Sequence, residues 1–243
     1  IFNRNNQAIG FGGRSLDNSE PKYINTASTP IFNKRSVLYG LNLAKEDINK
    51  QKTVIVVEGY MDVIAAHQHG YKNVVASMGT AITEHQVSQL KSIAHQFVQA
   101  LDPDNAGKEA TVKSLESSWR VFERYTVGTG RRSIGQLYQR EPLELKIASL
   151  PAGNDPDTLI RHNEKEWQHI IKNAEPFMDY ILPAFASRYD LSSDSGKAQA
   201  AEVLLPLVTG TGNAFEQERY FRKLAEILGV TTEALQASVV RLK

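Results

Sequence analysis

The sequence predicts an α/β protein: a mostly parallel sheet flanked by helices, with an N-terminal α+β segment before it and a small C-terminal helical domain after it. Three observations carry that reading. Thr53-Val54-Ile55-Val56-Val57 is an unbroken β-branched run, the mark of a strand buried on both faces. Strand-like runs then alternate with helical stretches of about ten to fifteen residues, which implies right-handed crossovers and parallel strands. From Asn163 onward the apolar residues recur only at helical spacing.

Residues 1–52 are rich in Gly, Asn and Ser, and the short apolar pieces Ala8–Phe11 and Ser36–Tyr39 read as strands before a helix near Leu38–Asn49. After the Thr53–Val57 strand, Tyr60–His69 reads as a helix stopped by Gly70. Asn73–Ser77 is a second strand, and Thr83–Ala94 a helix with Thr83 as its N-cap. Phe97–Leu101 is a third strand and Ala106–Phe122 a third helix. Gly128–Arg140 breaks the rhythm as an insertion, and Glu144–Leu150 resumes the sheet. Glu175–Tyr189, Ala198–Leu207 and Phe215–Leu228 read as the last helices, so the segments are 1–52, 53–170 and 171–243.

Composition narrows the classes. The chain of 243 residues is 41% hydrophobic and 23% charged, which suits a globular protein. It holds no apolar run near the roughly 20 residues that span a bilayer, so no membrane role is expected. Cysteine is absent, which removes disulfides, thiolate zinc sites and thiol nucleophiles. With no signal-peptide pattern, a cytoplasmic protein is expected, and the opening at Ile1 suggests a piece of a longer chain. Net charge is only +1, but residues 1–52 carry eight Lys/Arg against four Asp/Glu, while 53–127 carry six against eight. A basic arm beside an acidic segment suits phosphates held next to metal ions.

The chemistry lies where strands stop, since open α/β sheets bind ligands beyond the carboxyl ends of their strands. Glu58 follows the first strand, Asp102 and Asp104 follow the third, and Asp155 and Asp157 lie in the loop after the strand that ends at Leu150. Taken singly, these stretches read equally well as turns or helix caps. Together, on one edge of a parallel sheet, five carboxylates repel one another and call for a cation. Oxygen donors without Cys or convergent His favour Mg²⁺ or Mn²⁺ over zinc, in the two-ion geometry of phosphoryl transfer. His67, His69, His85 and His95 show no ligand spacing and read as solvated surface. Trp119 and Trp167 read as packing residues.

Val57-Glu58-Gly59-Tyr60-Met61-Asp62-Val63 resembles the EGYMDV motif of bacterial DnaG-type DNA primases. Ala100–Gly107 resembles their D-x-D-x-A-G motif, and Asn154–Leu159 their D-P-D-T-L segment. These three motifs define the Toprim fold. Gly10-Phe11-Gly12-Gly13-Arg14 with Pro21–Thr26, and Ile31–Lys34 with Leu38–Leu41, resemble segments that separate primases from other Toprim families. The resemblance covers residues 1–162 and, more loosely, the helical tail. Residues 128–142 are longer than the family's usual connection.

The resemblance implies template-directed joining of ribonucleoside triphosphates on single-stranded DNA, by a monomer at replication forks. Asp102 and Asp104 would hold Mg²⁺ on the triphosphate, with Asp155 and Asp157 completing that shell. Glu58 would ligate a second ion or help remove the primer 3′-hydroxyl proton. Arg14, Lys22 and Lys34 would face phosphates, with Tyr23 and Asn25 in the same nucleotide-binding stretch, and Lys108 would neutralise developing charge. The family's zinc-binding domain is expected to lie outside this chain, and so is the domain that meets the replicative helicase. The alternatives are another Toprim enzyme, a nuclease or topoisomerase, and a non-catalytic nucleic-acid-binding module.

Overall fold

The computed structural model describes residues 1–17, 20, 21, 23–78, 81–101, 115–122 and 143–241. The described residues form two compact units. One holds those up to Ser118 together with 143–174, and the other holds 119–122 together with those from Glu175 on.

The first unit is built on the strands β3 (Thr53–Val57), β4 (Val74–Ala76), β5 (Gln96–Leu101) and β6 (Glu144–Ser149), in the spatial order β4-β3-β5-β6. Each neighbouring pair is parallel. Val54 to Val57 are at most 3% exposed, as a two-face-buried strand requires. Helices α1 (Leu41–Gln51), α2 (Tyr60–Gln68) and α3 (Glu84–Leu90) belong to this unit, and helical residues 115–122, named α4, are divided between the two units after Ser118. After β6 come α5 (Pro156–His162) and α6 (Glu164–Lys172). The core joins Ile55, Val57, Val63, Val98 and Leu159 to Trp167, which is fully buried and meets Tyr71 edge-on at 6.2 Å. The alternation expected from the sequence therefore stands.

Several local expectations change. Ala8–Phe11 and Ser36–Tyr39 form only isolated bridges, Phe2 to Ala8 and Tyr39 to Ala76, while the strands proper are β1 (Gly12–Arg14) and its antiparallel partner β2 (Tyr23–Asn25). Helix α1 starts at Leu41 because Gly40 is left-handed, at φ +82°, and any Cβ there would come within 2.8 Å of Val63. Thr83 does cap α3, accepting the Gln86 N–H, while the Gln86 side chain accepts the Thr83 N–H. Helix α5 starts with Pro156 in its first turn and Asp155 as its cap. His67 and His69 are not simply solvated: their rings bond the carbonyls of Val74 and Ala65 at 2.9 Å. The first part of the expected Ala106–Phe122 helix and the Gly128–Arg140 insertion lie outside the described residues.

The second unit is helical: α7 (Phe177–Ala186), α8 (Asp194–Gly210), α9 (Ala214–Leu228) and α10 (Thr232–Arg241). Ser193 and Asn213 cap α8 and α9, and Gly229 ends α9 at φ +61°. Trp119 stacks on Phe177 at 6.0 Å. Both tryptophans are packing residues. Among the described residues no helix is long and apolar enough to cross a membrane.

Candidate active site

Parallel register aligns the strand ends. Val56 pairs with Gln99 and Leu101 with Ser149, so Glu58 stands level with Leu101, beside the end of β6. Glu58 is exposed at this carboxyl edge, and Gly59, in extended conformation, is the cap of α2. A Cβ at 59 would sit 2.9 Å from an Asp62 carboxylate oxygen, so a larger residue there would displace that carboxylate.

Asp62 is the residue that motif spacing alone missed. One of its oxygens accepts the Gly59 N–H at 3.1 Å, and the other accepts the Asp157 N–H at 3.3 Å. A single carboxylate therefore ties the first turn of α2 to the first turn of α5. Burial pushes its pKa up to about 6. The two N–H bonds oppose the rise, and the charges of Asp155 and Asp157 add to it. The signal was present in the sequence: an acid three residues after a cap is the far half of a capping box.

Asp155 accepts the Thr158 N–H at 2.7 Å, and the Asp157 carboxylate pairs with Arg161 one turn on. Asp155 thus caps a helix, and the Asp157 charge is partly answered within its own helix. Both stand beside Asp62 at the edge that bears Glu58.

The basic arm reaches the same turn through aromatic contacts. The Arg14 guanidinium lies 5.6 Å over the Tyr23 ring, and Tyr23 meets Tyr60 edge-on at 5.5 Å. The Tyr60 hydroxyl donates to the Gly13 carbonyl at 2.9 Å, and burial raises its pKa above the usual phenol value. Asn25 pairs in register with Gly12, where a Cβ would come 3.1 Å from the Asn25 amide oxygen. The β1–β2 hairpin is thereby pinned to the residue two after Glu58. Lys34 is exposed, in the turn that precedes Val37.

Lys22, Asp102, Asp104 and Lys108 lie outside the described residues. Among the described residues, no three His, Cys, Asp or Glu side chains gather closely enough to hold a metal. The donor chemistry nevertheless fits a hard divalent cation. The acids at this edge offer oxygen only, and the chain has no cysteine.

Three family models match the chain: the Toprim domain over residues 52–127, the N-terminal domain of the DNA primase catalytic core over 1–45, and the DnaB-helicase binding domain of primase over 178–233. The last match corrects the expectation that the helicase-binding region lies outside this chain. DNA primase of Clostridium acetobutylicum is 33% identical over 236 residues, covering 97% of this chain and 36% of that protein. DNA primase of Escherichia coli K12 is 34% identical over 210 residues, covering 86% and 33%. The chain thus spans about a third of the length of these curated relatives. The solved DnaG primase catalytic domain bound to single-stranded DNA superposes with TM-score 0.77 at 30% identity, covering 96% of this chain and 69% of that one.

Proposed function

The chain belongs to the DNA primase family, and from that premise we propose that it carries the part of the catalytic core that joins ribonucleotides into RNA primers on single-stranded DNA. In that reaction a primer 3′-hydroxyl attacks the α-phosphorus of a ribonucleoside triphosphate, and pyrophosphate leaves. The observation that carries the reading is Glu58, placed one residue beyond a buried parallel strand and itself level with Leu101, the residue before Asp102. Asp102, Asp104, Asp155, Asp157 and Glu58 are the residues that would hold two or more divalent ions, Mg²⁺ or Mn²⁺. Those ions supply charge neutralisation at the triphosphate and lower the pKa of the attacking hydroxyl.

The chain's own groups do the rest. Glu58 either ligates or accepts the 3′-hydroxyl proton. Asp62 keeps the turns of α2 and α5 together, so the Glu58 edge and the Asp155–Asp157 loop stay in register. Arg14, Lys22 and Lys34 bind phosphate, Tyr23 and Asn25 line the same stretch, and Lys108 answers charge on the leaving group. The partners we assign are template strand, ribonucleoside triphosphates and, through 178–233, the replicative helicase. The setting is the bacterial cytoplasm, with a monomeric protein.

The test is ribonucleotide incorporation on a single-stranded template by the full-length enzyme, with calorimetric Mn²⁺ titration beside it. Wild type should incorporate and bind the ion, and Asp102→Asn should lose both. Unchanged Mn²⁺ affinity in Asp102→Asn would sink the metal assignment. Ion binding without incorporation would favour another Toprim activity, and neither would leave a binding module.

A further inference from the structure

One face of α3 is committed to the loop that carries Lys34. Thr83 Oγ1 donates to the Arg35 carbonyl at 2.7 Å, and Gln89 Nε2 donates to the Ser36 carbonyl at 2.6 Å. Gln86 Nε2 donates to the Val37 carbonyl at 2.9 Å and, more weakly, to Lys34 at 3.4 Å. Thr83, Gln86 and Gln89 recur every three residues, which puts them on one side of the helix. Four consecutive carbonyls, 34 to 37, are thus each met by a side-chain donor. On the other side of the turn, Asn33 Oδ1 accepts the Arg35 N–H at 3.0 Å and the Asn33 carbonyl accepts the Ser36 N–H at 2.9 Å.

Gln86 is fully buried, and its amide oxygen is also used, by the Thr83 N–H at 3.0 Å. A buried amide is favourable only when its bonds are made, and a space-filling role would be better served by an apolar side chain. What Gln86 adds is therefore geometry. Beneath the loop Phe32, Val37 and Met78 form a small apolar cluster, while Lys34 and Arg35 stay exposed above it. Helix α3 follows β4, a strand parallel to β3, so its first turn opens at the same carboxyl edge that bears Glu58.

We propose that Gln86, with Thr83 and Gln89, is a positioning residue that holds Lys34 and Arg35 ready for a phosphate at this edge. The proposal rests on the reading of Lys34 as a phosphate contact. The phosphate belongs either to the template strand or to the incoming triphosphate, and two arms of one experiment separate these.

Gln86→Met, Gln89→Met, Lys34→Ala and the two doubles with Lys34→Ala are compared in the full-length enzyme. One arm measures affinity for a labelled single-stranded oligonucleotide across a salt series, and the other the KM for a ribonucleoside triphosphate. Lys34→Ala should weaken one of the two constants. Each methionine variant should weaken that same constant by about three- to tenfold, the scale of coupling between groups in one network. Its kcat should fall less than that constant weakens, and each double should be no worse than Lys34→Ala alone. Fully additive effects overturn the proposal, as do unmoved constants beside a lowered Tm. If Lys34→Ala changes neither constant, the phosphate reading itself fails and takes the proposal with it. Should Gln86→Met fail to fold, Gln89→Met, at a partly buried position, carries the same comparison.

Discussion

Two strand-to-helix turns meet at the candidate site, and they use their acids in different ways. After β3 the cap is Gly59, so Glu58 stands one residue before the cap, and capping falls to Asp62 from inside the first turn. After β6 the cap is Asp155 itself, and the next acid, Asp157, pairs along its own helix with Arg161. One turn keeps its outermost carboxylate out of the capping arrangement, whereas the other spends both acids partly on helix structure. Like residues at like positions can therefore differ in how far chemistry and stability separate.

The largest expected effect is at Glu58. Glu58→Gln should lower primer synthesis by at least about 10²-fold, the usual scale for a lost acid–base group. Near-normal synthesis would reduce Glu58 to a turn residue and erase the contrast between the two turns.

Next comes Asp62. Its folded-state pKa of about 6 lies above the ordinary 3.8, so the native chain keeps a proton that the unfolded chain has released. The associated stability is present at low pH and is lost as pH rises from about 4 to about 6, by about 1–3 kcal/mol. Urea unfolding in EDTA across that window should show the decline, and Asp62→Asn should flatten it. A flat wild-type profile would mean that the Gly59 and Asp157 N–H bonds keep the carboxylate ionised.

Asp155→Ala should cost about 1 kcal/mol through loss of the cap, while Asp155→Ser keeps the cap and recovers most of it. If Mn²⁺ affinity stays weak in the serine variant while stability returns, the two duties of Asp155 are separable. Recovery of both would show that this carboxylate is only a cap. The smallest effect is expected at the Asp157–Arg161 pair, with side chains 23% and 44% exposed. Arg161→Gln should change stability by no more than about 0.5 kcal/mol, as exposed pairs one helical turn apart do. A loss several times larger, in the same unfolding assay, would mark Arg161 as part of the site.

The parallel sheet was legible because a β-branched run such as Thr53–Val57 has few ways to hide both faces, and the helices between strands follow from their spacing. Glu58, Asp155 and Asp157 could be found in the same way, as acids just past strand-like runs. Asp62 was harder to see. In sequence it looks like one more charged residue in an amphipathic turn, and its bond to the Asp157 N–H spans 95 residues. The Gln86 arrangement was hidden for the same reason, since its partners lie about fifty residues upstream. Local sequence set the Thr83 cap but not what else that face of α3 would hold.

By itself, then, the sequence determined the order of elements, which acids follow the strand ends and the basic character of the first segment. Each of these is written in neighbouring residues, through side-chain shape, periodicity and charge. Only the tertiary structure decided which carboxylate caps, which one bridges two helices, and that Tyr60 and α3 hold the basic arm in place. Those assignments depend on donors and acceptors brought together from distant parts of the chain, where a buried polar group must find its partner wherever packing puts one.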